Sequence, residues 1–206
     1  MTLNSYLSAP CRASSIPYWK TKRIAIPDTM LILHAADFDT SLMHDYSDEP
    51  YFRLKHDLKS IPAFDMPDHY IFSAASLSEY AAHINACYSP GCMSEEKLRE
   101  YTGHPVYCRE LWLAIRDARS GELVASGIGE LDAEAGEGIL EWIQVSPAHR
   151  GKGLGSCIVA ELLRRMCGRA IFATVSGQCN NPTSPETMYR KCGFAGNDVW
   201  HILRKR

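Results

Sequence analysis

Val145-Ser146-Pro147-Ala148-His149-Arg150-Gly151-Lys152-Gly153-Leu154-Gly155-Ser156 is the stretch whose reading decides the fold. An apolar strand ends at Val145, a glycine-rich turn follows, and an amphipathic run starts at Gly155. Gly151, Gly153 and Gly155 remove side chains where something must approach the backbone. The amides of the turn and of the helix start then converge on one spot. Unpaired N–H groups and the positive end of the helix dipole draw an anion there. Arg150 and Lys152 add charge, and the whole suits a pyrophosphate.

Three phosphate-binding patterns compete for this segment. A P-loop needs Gly-Lys-Ser/Thr, which the chain lacks. The dinucleotide fingerprint needs Gly-x-Gly-x-x-Gly, whereas the spacing here is Gly151, Gly153, Gly155. The hydrolase elbow Gly-x-Ser-x-Gly is absent. What remains is Arg-x-x-Gly-x-Gly after an antiparallel strand.

Outward from the loop, the elements fall into a mixed α+β order. His69 to Ala74 reads as a strand. Ser76 with Glu79 forms a capping box ahead of Leu77, Tyr80, Ala81 and Ile84 at helical spacing. Ser94 caps a second helix with Glu95 and Glu96 in its first turn. Leu111 to Ile115 and Leu123 to Ile128 flank the Ser120-Gly121 turn, and Ile139 to Val145 follows. Gly155 to Cys167 is a helix closed by Gly168. Ala170 to Val175 is a strand, Ser184-Pro185 starts a helix ending at Gly193, and Val199 to Leu203 is the last strand. From residue 69 the order is β-α-α-β-β-β-α-β-α-β.

Residues 1–68 read as an N-terminal extension. The first 20 carry little periodicity and are expected to be loosely ordered. Met30 to His34 and Tyr51 to Leu58 are expected to pair as a hairpin across the acidic run Asp45 to Glu49. Pro62 and Pro67 mark the boundary to a domain spanning 69–206.

With this order in place, the sequence resembles the GNAT superfamily of acyl-CoA-dependent N-acetyltransferases. Arg150-Gly151-Lys152-Gly153-Leu154-Gly155 looks like that family's pyrophosphate loop. Met188-Tyr189-Arg190-Lys191-Cys192-Gly193-Phe194 is similar to its late helix. The resemblance implies acetyl-CoA as co-substrate, no metal, and a small-molecule or peptide amine as acceptor. It implies that Ile143, Gln144 and Val145 offer backbone hydrogen bonds to the pantetheine arm. Arg150, Gly151, Lys152, Gly153, Leu154, Gly155 and Ser156 would hold the pyrophosphate. Asn180 or Asn181 resembles a cofactor-contacting asparagine, and Asn181 is the one assigned. Pro182 and Pro185 depart from the usual spacing there.

Amine acetylation needs a base, because an alkylammonium has a pKa of about 10.4. Glu141 is the candidate, similar in position to a glutamate used by some family members. Strand alternation would put it on one face with Ile143 and Val145. Glu130 on the preceding strand is the rival. A solvated or ion-paired glutamate is the plainer alternative. Tyr189 is the candidate acid for the departing thiolate, against the alternative of a buried packing tyrosine. Direct attack needs no cysteine nucleophile. A non-catalytic acyl-CoA sensor is the competing function.

Composition bounds the rest. With 206 residues, 46% hydrophobic and 22% charged, the chain can bury a core without staples. A net charge of −2 provides no field for nucleic acid or anionic membrane. No apolar run reaches the ~20 residues that span a bilayer. The 8 cysteines include no C-x-x-C pair and no zinc spacing. Cys157, Cys167 and Cys192 sit at helical packing positions. Free thiols, a cytoplasmic location and no signal peptide are the expectation, and a homodimer is admitted.

Overall fold

The computed structural model describes all 206 residues. In chain order the elements are α1 Leu3–Ser8, α2 Pro10–Ala13, α3 Tyr18–Thr21, β1 Met30–His34, β2 Tyr46–His56, β3 Tyr70–Ser73, α4 Leu77–Cys87 and α5 Glu95–Thr102. There follow β4 Tyr107–Asp117, β5 Leu123–Asp132, β6 Glu137–Val145, α6 Leu154–Met166, β7 Phe172–Gln178, α7 Pro185–Lys191 and β8 Ala195–Lys205. From β3 onward this is the order expected from sequence.

One eight-stranded sheet runs β1-β8-β2-β7-β6-β5-β4-β3. Only β6 and β7 pair in parallel; every other neighbouring pair is antiparallel. Helix α6 makes the parallel crossover and explains its own amphipathicity. Ile158, Leu162, Leu163 and Met166 are buried against Leu113, Ile115, Leu140 and Val175 on one sheet face. Helices α4 and α5 close the other face, where Tyr80, Ile84 and Leu98 pack with Ala114 and Ile128.

The α4 start behaves as its sequence demands. Ser76 Oγ accepts from the Glu79 amide, and the Glu79 carboxylate accepts from the Ser76 amide at 2.8 Å. Ser76→Ala should lower stability by about 1 kcal/mol in urea denaturation, with the activity profile retained. Ser184 differs: it sits at φ 47 and makes no side-chain cap bond, so Pro185 alone sets the start of α7.

The N-terminal 68 residues depart from expectation in three ways. The start is not loose, for it forms three short helices with Tyr6, Tyr18 and Trp19 buried. β1 and β2 do not form a hairpin, because β8 lies between them and pairs with both. Pairing with a strand 150 residues distant in sequence leaves no local turn signature. The acidic run is not a loop either. Asp48 and Glu49 lie in β2, where Asp48 pairs with His201 at 2.8 Å.

Arg53 of β2 shows how tightly this segment is built in. Its guanidinium is buried and meets Glu137 at 3.3 Å, the Tyr6 hydroxyl at 2.9 Å and Ser176 at 3.1 Å. Glu137 also accepts from Tyr6 at 2.7 Å, Thr174 at 2.6 Å and the Tyr18 amide at 3.2 Å. The Glu137 end is saturated, whereas Arg53 Nε finds no partner; a buried charge pair is tolerable only when most of its polar atoms are bonded in this way.

Candidate active site

The turn after β6 is open at Gly151 and Gly153 but not at Gly155, where a Cβ would meet Met188 Sδ at 2.8 Å, so that glycine serves packing between α6 and α7 rather than the approach of a ligand. Gly151 and Gly153 hold φ +76 and +84, and a Cβ on either would meet no atom within 4 Å. A left-handed backbone here explains the residue type, and the open space explains what it is for. No turn or cap bond uses the amides of residues 151–156; the first α6 amide with a carbonyl partner is Cys157, bonded to Gly153 at 3.1 Å. Gly153 is the N-cap, makes no side-chain cap bond, and no acidic residue occupies the first turn. Those donors and the helix dipole therefore face outward together.

The flanking cations are parked nearby. Arg150 Nε donates to the Val145 carbonyl at 3.1 Å. Lys152 Nζ donates to the Tyr70 hydroxyl at 3.0 Å, and that hydroxyl bonds His149 Nδ1 at 2.9 Å. The loop residues fit a diphosphate by their chemistry: free amides, two cations and no competing carboxylate. Ser156 faces Cys192, the residue that caps the end of α7. Asn181 is committed locally, its Oδ1 accepting from the Thr183 amide and hydroxyl at 2.9 and 2.7 Å.

Beside the loop the sheet splits. β6 pairs with β7 only from Glu137↔Phe172 to Leu140↔Val175. Beyond Leu140 the strands part, although β6 runs on to Val145 and β7 to Gln178. The resulting wedge has the edge of Glu141–Val145 as one wall. Tyr88 at the end of α4 donates its hydroxyl to the Ile143 carbonyl at 3.2 Å.

A bulge in β6 corrects the expectation for Glu141. Opposite β5, the register shifts between Ser126↔Gln144 and Ile128↔Glu141, so Trp142 and Ile143 face Gly127 alone. Trp142 takes φ +47 to make the bulge. Alternation is broken there. Ile143 and Val145 pack with the α6 core, whereas Trp142 packs with the α4–α5 cluster. Glu141 keeps the parity of its partner Ile128 on the α4–α5 face, opposite to Ile143 and Val145. One inserted residue inverts every later side chain, and no residue type in Leu140-Glu141-Trp142-Ile143 announces it.

On that face Glu141 is paired with Lys20 Nζ of α3. Glu130 lies beside it, accepting from Trp19 Nε1 at 3.1 Å. Burial first, and then the Glu141 charge, push the Glu130 carboxyl up to about 7, against the opposing pull of Lys20. Lys20 itself is raised: burial opposes its charge, but Glu141 and Glu130 outweigh that. Sequence reasoning missed Lys20 and Trp19, which reach the site from 110 or more positions away with no spacing to betray them.

Tyr189 is buried against Phe52 and Phe194, at ring-centroid distances of 6.1 and 5.8 Å. Burial pushes its hydroxyl far above the ordinary tyrosine value, reinforced by Tyr88, Cys192 and Glu141. It is therefore a protonated group at neutral pH with those three as its electrostatic neighbours. Cys157 and Cys192 are buried as expected, whereas Cys167 is exposed just past the end of α6.

A second polar cluster was not anticipated. His83 of α4 bonds Ser126 at 2.8 Å and Ser146 at 3.0 Å, and Gln144 donates to the same Ser126. It tethers α4 to the strand end feeding the loop. Burial lowers His83 to about 4. The unfolded chain takes up this proton below about 6.5 and the folded chain only near 4, so stability contributed by neutral His83 is lost as pH falls across that window. The loss should reach about 3 kcal/mol. Glu130 titrates with the opposite sign between about 4.5 and 7, so the effect is read as the difference between the parent and His83→Gln in denaturation at pH 4 and 7.

Comparison with known proteins agrees with this fold. Residues 108–195 match the family model described as "Acetyltransferase (GNAT) domain". No curated protein matches the sequence. Among solved structures, a GCN5-related N-acetyltransferase from Sphaerobacter thermophilus superposes with TM-score 0.69 at 19% identity, over 91% of this chain and 63% of that one. An acetyltransferase of the GNAT family from Colwellia psychrerythraea gives 0.61 at 15%, over 85% and 64%. The ribosomal-protein-S18-alanine N-acetyltransferase from Escherichia coli gives 0.51 at 16%, over 65% and 91%. At these identities the likeness is one of fold. The chain spans less than two thirds of the length of the first of these structures.

Fold and family match point the same way: residues 108–195 resemble a GNAT acetyltransferase domain, and the chain shares the mixed α+β fold of such proteins.

Proposed function

We propose that the protein is an N-acetyltransferase that moves the acetyl group of acetyl-CoA to a primary amine of a small molecule or peptide by direct attack. The observation that carries this is the open Gly151–Gly153 turn, whose unpartnered amides adjoin the wedge between β6 and β7. Arg150 to Ser156 hold the diphosphate, and the edge of Ile143, Gln144 and Val145 binds the pantetheine amides once Tyr88 and Arg150 release it. Asn181 contacts the cofactor after its turn relaxes. No metal takes part in the step.

Glu141 and Glu130 share the base role. Glu141 is neutralised by Lys20, while Glu130 stands near neutrality and relays the proton outward. Tyr189 protonates the leaving thiolate. With a carboxyl near 7 as the group that must be ionised, kcat/KM should rise through about pH 7 and level above it. Glu130→Gln should remove that limb; a pH profile identical to the parent's would exclude Glu130.

We further assign residues 69–206 as the acetyltransferase unit, with 1–68 an extension that joins its sheet. No helix is long and apolar enough to cross a membrane. A cytoplasmic setting, a homodimer and the absence of nucleic-acid or membrane partners belong to the same proposal.

Acetyl-CoA should raise the melting temperature. Coenzyme A should be released when a panel of amines is added. A thermal shift without release would favour an acyl-CoA sensor, and no shift at millimolar acetyl-CoA would defeat both. Tyr189→Phe should lower kcat by about 10²-fold with acetyl-CoA affinity nearly unchanged, since general acid catalysis contributes on that scale. Unchanged turnover would remove Tyr189 from the mechanism.

A further inference from the structure

The wedge has two sides, and they are differently furnished. Helix α6 and its loop lie on the face that buries Leu140, Ile143 and Val145. The opposite face carries Glu130 and Glu141, and here the N-terminal segment is laid across the sheet. Tyr6 and the Tyr18 amide are held by Glu137, Trp19 by Glu130, and Lys20 by Glu141. Three carboxylates of β5 and β6 thus grip one 15-residue stretch, Tyr6 to Lys20.

A donor bound at the loop would present its acyl end through the wedge toward that second face. The group waiting there is an amine. Glu141 is the first β6 residue past the last β6–β7 pair, so Lys20 Nζ stands at the point where the strands separate. Its side chain is 21% exposed, enclosed yet not sealed. The other lysines near the site are turned elsewhere: Lys22 bonds the exposed Glu134 at 2.7 Å, and Lys152 bonds Tyr70. An ion pair for structure alone is an alternative, but Glu137 and Glu130 already anchor the segment through Tyr6, Tyr18 and Trp19.

We propose that Lys20 is an acceptor in cis: the protein acetylates its own Lys20 from acetyl-CoA bound at residues 150–156. This rests on the acetyl-CoA reading above. The balance is as follows. The Lys20 ammonium gives one proton to Glu141, which passes it to solvent. The neutral Nζ forms a bond to the thioester carbonyl carbon, and the carbon–sulfur bond breaks. The second nitrogen proton ends on the departing sulfur, leaving an amide and free coenzyme A. Acetylation removes the positive charge from Lys20 and with it the ion pair to Glu141. The modified chain therefore has a bare carboxylate at the acceptor site and a weaker hold on its N-terminal segment.

The test uses the full chain and isotopically labelled acetyl-CoA, with digestion and mass analysis of each lysine. Label should accumulate at Lys20 ahead of the exposed Lys22 and Lys59, at a first-order rate independent of protein concentration. Excess unacylated coenzyme A should suppress it by filling the loop without a donor. Glu141→Gln should slow it by about tenfold or more. Lys20→Arg should abolish the label at that position, whereas Lys22→Arg should retain it. Labelling of Lys20 no faster than of Lys22 and Lys59, or insensitive to coenzyme A, would mark uncatalysed chemistry and overturn the proposal. Coenzyme A release with a free amine while Lys20 stays unlabelled would overturn it and leave the enzyme assignment standing. No thermal shift and no release with any amine would instead remove the acetyl-CoA reading and this proposal with it.

Discussion

Replacing Gly153 by aspartate should weaken acetyl-CoA binding by about 100-fold or more, roughly 3 kcal/mol, as measured by calorimetry or displacement of a fluorescent coenzyme. Two effects add. The residue holds φ +84, where a side chain costs on the order of 1–2 kcal/mol. The new carboxylate also stands at the helix N-terminus, where it caps the α6 amides and repels the diphosphate. Gly153→Ala separates the two, since it keeps the backbone strain and adds no charge. The alanine variant should lose stability with a smaller change in affinity. An aspartate variant that bound acetyl-CoA like the parent would show that the diphosphate lies elsewhere.

The largest effect on folding is expected from Arg53→Met. It should lower stability by about 3–5 kcal/mol, the range for stripping one partner from a buried charge pair. For a chain of this size that is roughly 10 °C in Tm. Glu137 is fully buried and would keep only the Tyr6 and Thr174 hydroxyls and the Tyr18 amide. Adding Glu137→Leu should recover much of the loss, because no uncompensated charge then remains. Because Tyr6 and Tyr18 hang from the same carboxylate, hydrogen exchange at residues 3–21 should quicken in the single variant. Protection unchanged there would mean that the N-terminal segment is held without the Arg53–Glu137 pair.

Both predictions concern residues of very different legibility. Gly153 is visible in the chain because its requirement is local: a left-handed turn ahead of a helix permits few residue types. The Ser76 box is legible for the same reason, as donor and acceptor lie three positions apart. Arg53 looks like any alternating strand arginine. Its partners Tyr6, Glu137 and Thr174 come from three other parts of the chain, and nothing nearby marks it as buried. The candidate site divides along the same line. The glycine loop proposed for the diphosphate and Tyr189 belong to contiguous motifs, whereas Lys20, Trp19 and the His83 network arrive from remote segments.

What the sequence by itself determined was the run of elements from residue 70 to the end and the open glycine turn before α6, on which the proposed reaction rests. These depend on contacts between near neighbours, where propensity, capping and glycine geometry act directly. Tertiary structure alone decided the strand order, with β8 inserted between β1 and β2, and the face on which Glu141 stands. It also decided that the first 21 residues cover that face. Long-range pairing is chosen by the burial of whole surfaces, and a single bulge reverses side-chain parity, so neither leaves a periodic trace in the residues themselves.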